Sequence, residues 1–166
     1  MELWDLYDAN RRKTGQDHVR GEEIPAGCYH LVVHVGIRNS AGQYLISQRS
    51  ASRKSFPMMW ETVGGSVLKG EDSLAAAVRE AEEEVGLKLE PAGGRRMFTK
   101  LREEYRGERY ADILDVWLWE YDGPVDLAAA TTEEVAQTRW MNVEQVRQLY
   151  ESGKLVDSLE YFFDLQ

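Results

Sequence analysis

The stretch that most constrains this sequence runs from Gly65 to Leu87, where one short helix must anchor in a core and also carry a dense set of acids. From about Asp72 to Val85, the residues Leu74, Ala77, Val78, Ala81 and Val85 recur at helical spacing and form an apolar stripe. Asp72 or Ser73 can cap the start, and Gly86 suits a left-handed stop. Glu83 and Glu84 follow Glu80 by three and four positions, so all three carboxylates leave neighbouring patches of one helix. Carboxylates that close repel, and they raise one another's pKa values unless cations sit between them. Hard oxygen donors of this type suit Mg²⁺ or Mn²⁺, which keep several waters and bridge to phosphates. Glycine lets a backbone carbonyl approach closely, so Gly65 joins Glu80, Glu83 and Glu84 as an expected metal ligand. The apolar stripe is expected to face the core while the acids face a cleft.

Charge narrows the partners. The formal net charge of −9 argues against a general nucleic-acid or anionic-membrane binder. A small phosphate-bearing substrate remains compatible, provided metal ions neutralise the local acid. With 166 residues, 43% of them hydrophobic, one domain spanning 1–166 is expected, as a monomer or homodimer. No apolar run approaches the roughly eighteen residues of a membrane helix. Met1-Glu2-Leu3-Trp4-Asp5 has neither the basic start nor the apolar stretch of a secretory signal, and the lone Cys28 suggests a reducing compartment. The expected location is cytoplasmic.

Around the acidic helix, strands and helices intermix. Leu3 to Asp8 and Thr14 to Gly21 read as a hairpin within about residues 1–27. From Tyr29 to Arg38, alternate residues are apolar (Tyr29, Leu31, Val33, Val35, Ile37), which predicts a strand with one buried face. Its other face, with His30, His34 and Arg38, is mostly polar. A turn at Asn39 to Gly42 leads to a second strand, Gln43 to Gln48, and then to a basic loop, Arg49 to Lys54. Further strands are expected at Arg95 to Leu101, at Asp112 to Tyr121 (apolar on both faces, hence central and covered) and at Arg139 to Met141. Asp122 to Thr138 is a long acidic connection and a candidate substrate loop, and helices are predicted near Val143 to Ser152 and Asp157 to Phe163. The expected class is α+β, with helices packed on a mixed sheet.

The run Gly65-x5-Glu71-x7-Arg79-Glu80-Ala81-x-Glu83-Glu84-x-Gly86-Leu87 resembles the Nudix box at every charged and glycine position, with Ala81 smaller than the usual bulky aliphatic. Two strands before the box and Glu134-Val135-x3-Arg139-Trp140 after it extend the resemblance over most of the chain. Membership in that family implies an α/β/α sandwich and metal-dependent hydrolysis of a diphosphate linkage in a nucleoside diphosphate-type small molecule. Arg79 would orient the carboxylates, and Glu71 would tie down the preceding loop. For the base that accepts water's proton, Glu83, Glu103, Glu104, Glu133 and Glu134 compete; Glu134 is favoured because it ends the long loop. The expected catalytic set is therefore Glu83, Arg79 and Glu134.

A second resemblance competes with the first. Gln48-Arg49-Ser50, Lys54, Phe56-Pro57 and Trp60 are similar to the isopentenyl-diphosphate isomerases, a branch of the same fold, and His30 stands where that branch places a metal-binding histidine. The branch needs a cysteine shortly after the tryptophan and a histidine two residues on, but here Gly64 and Ser66 occupy those positions. A hydrolase with isomerase-like flanks is expected, with Arg49, Lys54 and His30 as substrate-binding candidates; packed or solvent-facing histidines are the commoner outcome at such positions. A silent nucleotide sensor is disfavoured by the intact glutamate set.

Overall fold

Residues 1–105 and 107–166 are described by the computed structural model. The alternating segment forms β3 (His30–Arg38), with Leu31, Val33, Val35 and Ile37 buried on one face. It lies at the centre of a seven-stranded mixed sheet with β4 (Tyr44–Arg49), β5 (Trp60–Glu61), β6 (Val63–Ser66), β7 (Arg95–Tyr105), β8 (Glu108–Glu120) and β9 (Val135–Met141). β3 and β8 run parallel, from His30 opposite Asp112 to Arg38 opposite Glu120, whereas β6 pairs with β3 antiparallel and β9 with β4 antiparallel. The covered reading of β8 holds, since Ala111 to Val116 are all buried. Two of these are acids: Asp112 is bonded by Arg102 at 2.7 and 2.8 Å, and Asp115 by Arg11 at 2.7 Å.

The apolar stripe packs helix α1 (Ser73–Val85) on the Leu31–Ile37 face of β3. Its caps are those the sequence offers: Asp72 accepts from the Ala75 N–H at 2.7 Å, and Gly86 closes the helix at φ +72°. On the opposite side of the sheet, α2 (Val143–Glu151) and a 3-10 helix (Asp157–Leu165) enclose Tyr44, Ile46, Leu118 and Met141. The architecture is the expected α+β sandwich.

Three local expectations are corrected. The C-terminal segment is a 3-10 helix rather than an α-helix, because Leu159 and Phe162, three apart, both bury against the sheet and three residues per turn superposes them. The connection after β8 contains a short 3-10 turn, Leu127–Ala129, and gives way to β9 already at Val135. The second face of β3 is not open either: the hairpin β1 (Leu3–Tyr7) and β2 (Lys13–Val19) covers His30, and the 3-10 helix covers His34.

Candidate active site

Arg79 organises the acids of α1. Its guanidinium donates to both oxygens of Glu71 at 2.8 and 3.0 Å, to Glu80 at 2.9 Å, to Glu83 at 3.1 Å and to the Ser66 carbonyl at 3.0 Å. Glu71 also accepts the Leu68 N–H at 3.0 Å, so the loop before the helix is tied to the helix itself. The hairpin fastens the same loop from outside, since Asp5 accepts the Gly70 N–H at 2.8 Å and the Leu3 carbonyl accepts the Lys69 N–H at 2.9 Å.

The three box glutamates do not share one environment. Glu80 and Glu84 are buried beside Ala76, Ala77 and Ala81, whereas the Glu83 side chain is 38% exposed. The separation of an apolar core face from an acidic cleft face is thus incomplete: two of the acids are buried, and Glu80 packs against Gly65 of β6. Gly65 makes that possible, because any Cβ there would overlap the Glu80 carboxylate. Burial pushes the Glu80 carboxyl up to about 7 despite the opposing pull of Arg79. Burial raises Glu84 well above the carboxylate range, and the nearby charges of Glu80, Glu61 and Glu134 add to the effect. Among the described residues no three acid or imidazole groups converge on one point, since Arg79 draws Glu80 and Glu83 to itself.

The donor set nevertheless fits a divalent cation. Arg79 alone serves Glu71, Glu80 and Glu83, and Glu84, buried and repelled by Glu80, Glu61 and Glu134, has no ion pair of its own among the described residues. Hard oxygen donors of this kind are the ones Mg²⁺ and Mn²⁺ take.

Across from the helix stands a second group of charges. Glu61, in the two-residue strand β5, accepts from Arg49 at 2.7 Å, and Arg53 forms an ion pair with Glu134. The Glu134 carbonyl also receives the Ser50 N–H at 2.9 Å. The loop that delivers Glu134 is docked on the end of α1: the Thr131 and Thr132 N–H groups donate to the Glu83 carbonyl at 3.0 and 3.1 Å. A cleft of about 230 Å³ is lined by His34, Arg49, Arg53, Phe56, Glu61 and Gly65 among others, and it meets the acids of α1 only through Gly65, against which Glu80 packs. Of the competing bases, Glu83 and Glu134 are the two brought near the buried carboxylates. Glu103 instead accepts from the Tyr29 hydroxyl, Glu104 lines a neighbouring cavity with Lys100 and Tyr150, and Glu133 is exposed.

The NUDIX domain profile matches residues 29–162. The chain belongs to the Nudix family. A Nudix hydrolase of Listeria monocytogenes is 38% identical over 164 residues, 98% of this chain and 91% of that protein. The crystal structure of a Deinococcus radiodurans protein has a TM-score of 0.73 at 24% identity, covering 93% of this chain and 92% of the other, so the fold is shared. An isopentenyl-diphosphate Delta-isomerase of Citrobacter koseri is 29% identical over 127 residues, 72% of this chain and 65% of that enzyme. Family membership assigns hydrolase chemistry, which in Nudix enzymes generally uses divalent metals. Among the described residues, no helix is long and apolar enough to cross a membrane.

Where the isomerase branch of the Nudix fold carries its cysteine, this chain has no space for one. A Cβ on Gly64 would lie 2.6 Å from the Val33 carbonyl oxygen and 3.0 Å from the His34 ring, because β6 and β3 are paired there. His34 is occupied as well, sharing a 2.7 Å hydrogen bond with the Tyr161 hydroxyl. His30 does not line the Nudix cleft; it stacks on Trp4 with ring centroids 4.1 Å apart, beneath the hairpin. Arg49 is held by Glu61 and by the Ser55 carbonyl at 2.9 Å, while Lys54 is exposed on the loop. Sequence reasoning missed Glu61; the only signal was an acid standing alone in the run Met58-Met59-Trp60-Glu61-Thr62-Val63.

The His30 environment has a measurable consequence. Burial lowers its imidazole from 6.5 to about 4, so between those values the unfolded chain binds a proton that the folded one refuses. Stability from this group is full above pH 6.5 and is lost as pH falls toward 4, with about 2 kcal/mol gone by pH 5. Urea unfolding at pH 7.5 and pH 5 is expected to show this slope in the parent and about 2 kcal/mol less of it in His30→Gln. Identical slopes would mean that His30 titrates normally in the folded state.

Proposed function

We propose that this Nudix protein hydrolyses a diphosphate linkage in a nucleoside diphosphate-type small molecule, using Mg²⁺ or Mn²⁺ held by Glu80, Glu83, Glu84 and the Gly65 carbonyl. The observation that carries this reading is the pair of buried carboxylates, Glu80 and Glu84, the first of them packed against a glycine that admits it. When bound, the cations neutralise phosphate charge and lower the pKa of the attacking water. Arg79, fixed by Glu71, keeps Glu80 and Glu83 oriented. Glu134 accepts the water's proton at the edge of the cleft, and its ion pair with Arg53 positions it there. Lys54 attracts the substrate's phosphates, while Arg49 and Arg53, paired with Glu61 and Glu134, meet phosphate only if those pairs open. His30 supports the hairpin rather than the substrate. A cytoplasmic setting accords with the single cysteine.

The crowded backbone at Gly64 favours hydrolysis over isomerisation, since double-bond migration in an isopentenyl group needs a proton-transferring side chain at that position. The test is a phosphate-release screen of nucleoside di- and triphosphates, nucleotide sugars and other diphosphate conjugates with each metal, run beside proton NMR of isopentenyl diphosphate. Turnover of at least one diphosphate compound is expected, with no dimethylallyl signal. Catalytic formation of the dimethylallyl isomer, without hydrolysis of any compound, would reverse the assignment.

A further inference from the structure

We infer that Phe56 is a stacking platform for the nucleobase of the substrate, and that the loop between Arg49 and Trp60 is built to present it. The inference rests on the diphosphate-hydrolase reading and adds to it a subsite for an aromatic ring. Phe56 and Met58 are 37% and 48% exposed, and with Met1 and Leu101 they make up the exposed large apolar side chains among the described residues. Two of these four therefore lie two residues apart on one loop, and Phe56 lines the cleft together with Arg53, Glu61 and Gly65.

The backbone that exposes them is strained and firmly held. Phe56 and Met58 sit at φ +49° and +64°, in the left-handed region that side chains with a Cβ rarely adopt. Such conformations persist only where the surroundings enforce them, and they concentrate where a side chain must be aimed. Here the enforcement is explicit. The Arg49 N–H donates to the Met59 carbonyl at 2.8 Å, the Met58 N–H to the Arg49 carbonyl at 3.0 Å, and the Met59 N–H to the Phe56 carbonyl at 3.2 Å. Side chains add the Gln48 amide on the Met58 carbonyl and the Arg49 guanidinium on the Ser55 carbonyl, both at 2.9 Å.

A phenyl ring cannot bind phosphate or move a proton, so its value at this cleft is its flat apolar face. Lys54, two residues before it and exposed, supplies positive charge for the phosphates of the same molecule, and Arg53 adds to it where its pair with Glu134 opens. A ligand with phosphate at one end and an aromatic base at the other satisfies both features. Stacking of this kind tolerates any base, because every base has a π-face.

The experiment is calorimetric titration, in Mg²⁺, with the four common nucleoside 5′-monophosphates and with ribose 5-phosphate, which differs only by lacking the base. The parent protein is expected to bind the nucleotides about 10-fold more tightly than ribose 5-phosphate. Phe56→Ala should bring that ratio close to one, and Phe56→Tyr should preserve it, with circular dichroism confirming that both variants fold. A ratio near one in the parent, or a ratio unchanged in Phe56→Ala, would overturn the inference. So would tight binding of isopentenyl diphosphate that Phe56→Ala abolishes, since the platform would then serve an aliphatic chain. Hydrolysis of a diphosphate with no base preference removes only the stacking role; base-dependent binding without any hydrolysis removes only the reaction.

Discussion

Glu84→Gln is expected to lower kcat by roughly 10²-fold or more, without loss of the fold. Glutamine keeps the size and helix propensity of glutamate but removes the anionic oxygen that a hard cation requires. The same change is expected to leave the thermal midpoint unchanged or higher, because a neutral amide avoids the burial of a charge and, secondarily, the repulsion from Glu80, Glu61 and Glu134. Lost activity with retained or improved stability distinguishes a ligand from a structural residue, for which both would fall. Glu83→Gln should give a comparable loss of rate. Glu82→Gln is the control: that side chain is half exposed and, among the described residues, its ion pair is with Lys88 at 3.9 Å, so its rate should stay within about twofold of the parent. Steady-state kinetics and thermal unfolding on the three variants decide the matter, and parent-like rates in both Glu83→Gln and Glu84→Gln would return the acidic run to a solvated helix face.

Gly65→Ala is expected to be nearly as damaging, although it adds a single methyl group. The new Cβ would occupy the space of the Glu80 carboxylate, so either the side chain leaves Arg79 or β6 shifts against β3. Displacing a catalytic group by about 1 Å can cost on the order of 10²-fold in rate, and a loss of that size in kcat is the expected result. Shortening the partner should recover part of it. In Gly65→Ala/Glu80→Asp the carboxylate withdraws by one methylene, and the double variant should be faster than the product of the two single effects. Strict additivity would show that the glycine serves some purpose other than seating Glu80.

Much of the site was legible because its parts are close in sequence. The Asp72 cap, the Gly86 stop, the apolar stripe and the Arg79–Glu84 spacing all fall within one helix, whose geometry is fixed by local rules. The parallel pairing of β3 with β8 was less accessible, but the burial of β8 on both faces could be read from its continuous apolar run. What escaped were contacts set by docking. Glu61 becomes part of the site only when β5 pairs with β4 and sets it against Arg49. His30 loses its polar surroundings only because the N-terminal hairpin lays Trp4 across it. Glu80 turns inward because Gly65 of a neighbouring strand leaves it space, which no helical periodicity encodes. The C-terminal 3-10 helix has the composition of an α-helix, and its tighter winding follows from the sheet surface beneath Leu159 and Phe162.

The requirement for metal is the most direct test of the central claim. Protein stripped of divalent ions by chelation and dialysis is assayed for phosphate release on the best compound from the substrate screen, first without metal and then with Mg²⁺ or Mn²⁺ restored. The arrangement of Glu80, Glu83 and Glu84 predicts no turnover in the stripped protein and recovery of the full rate on restoration. Undiminished hydrolysis by the stripped protein would contradict the role assigned to the glutamate helix.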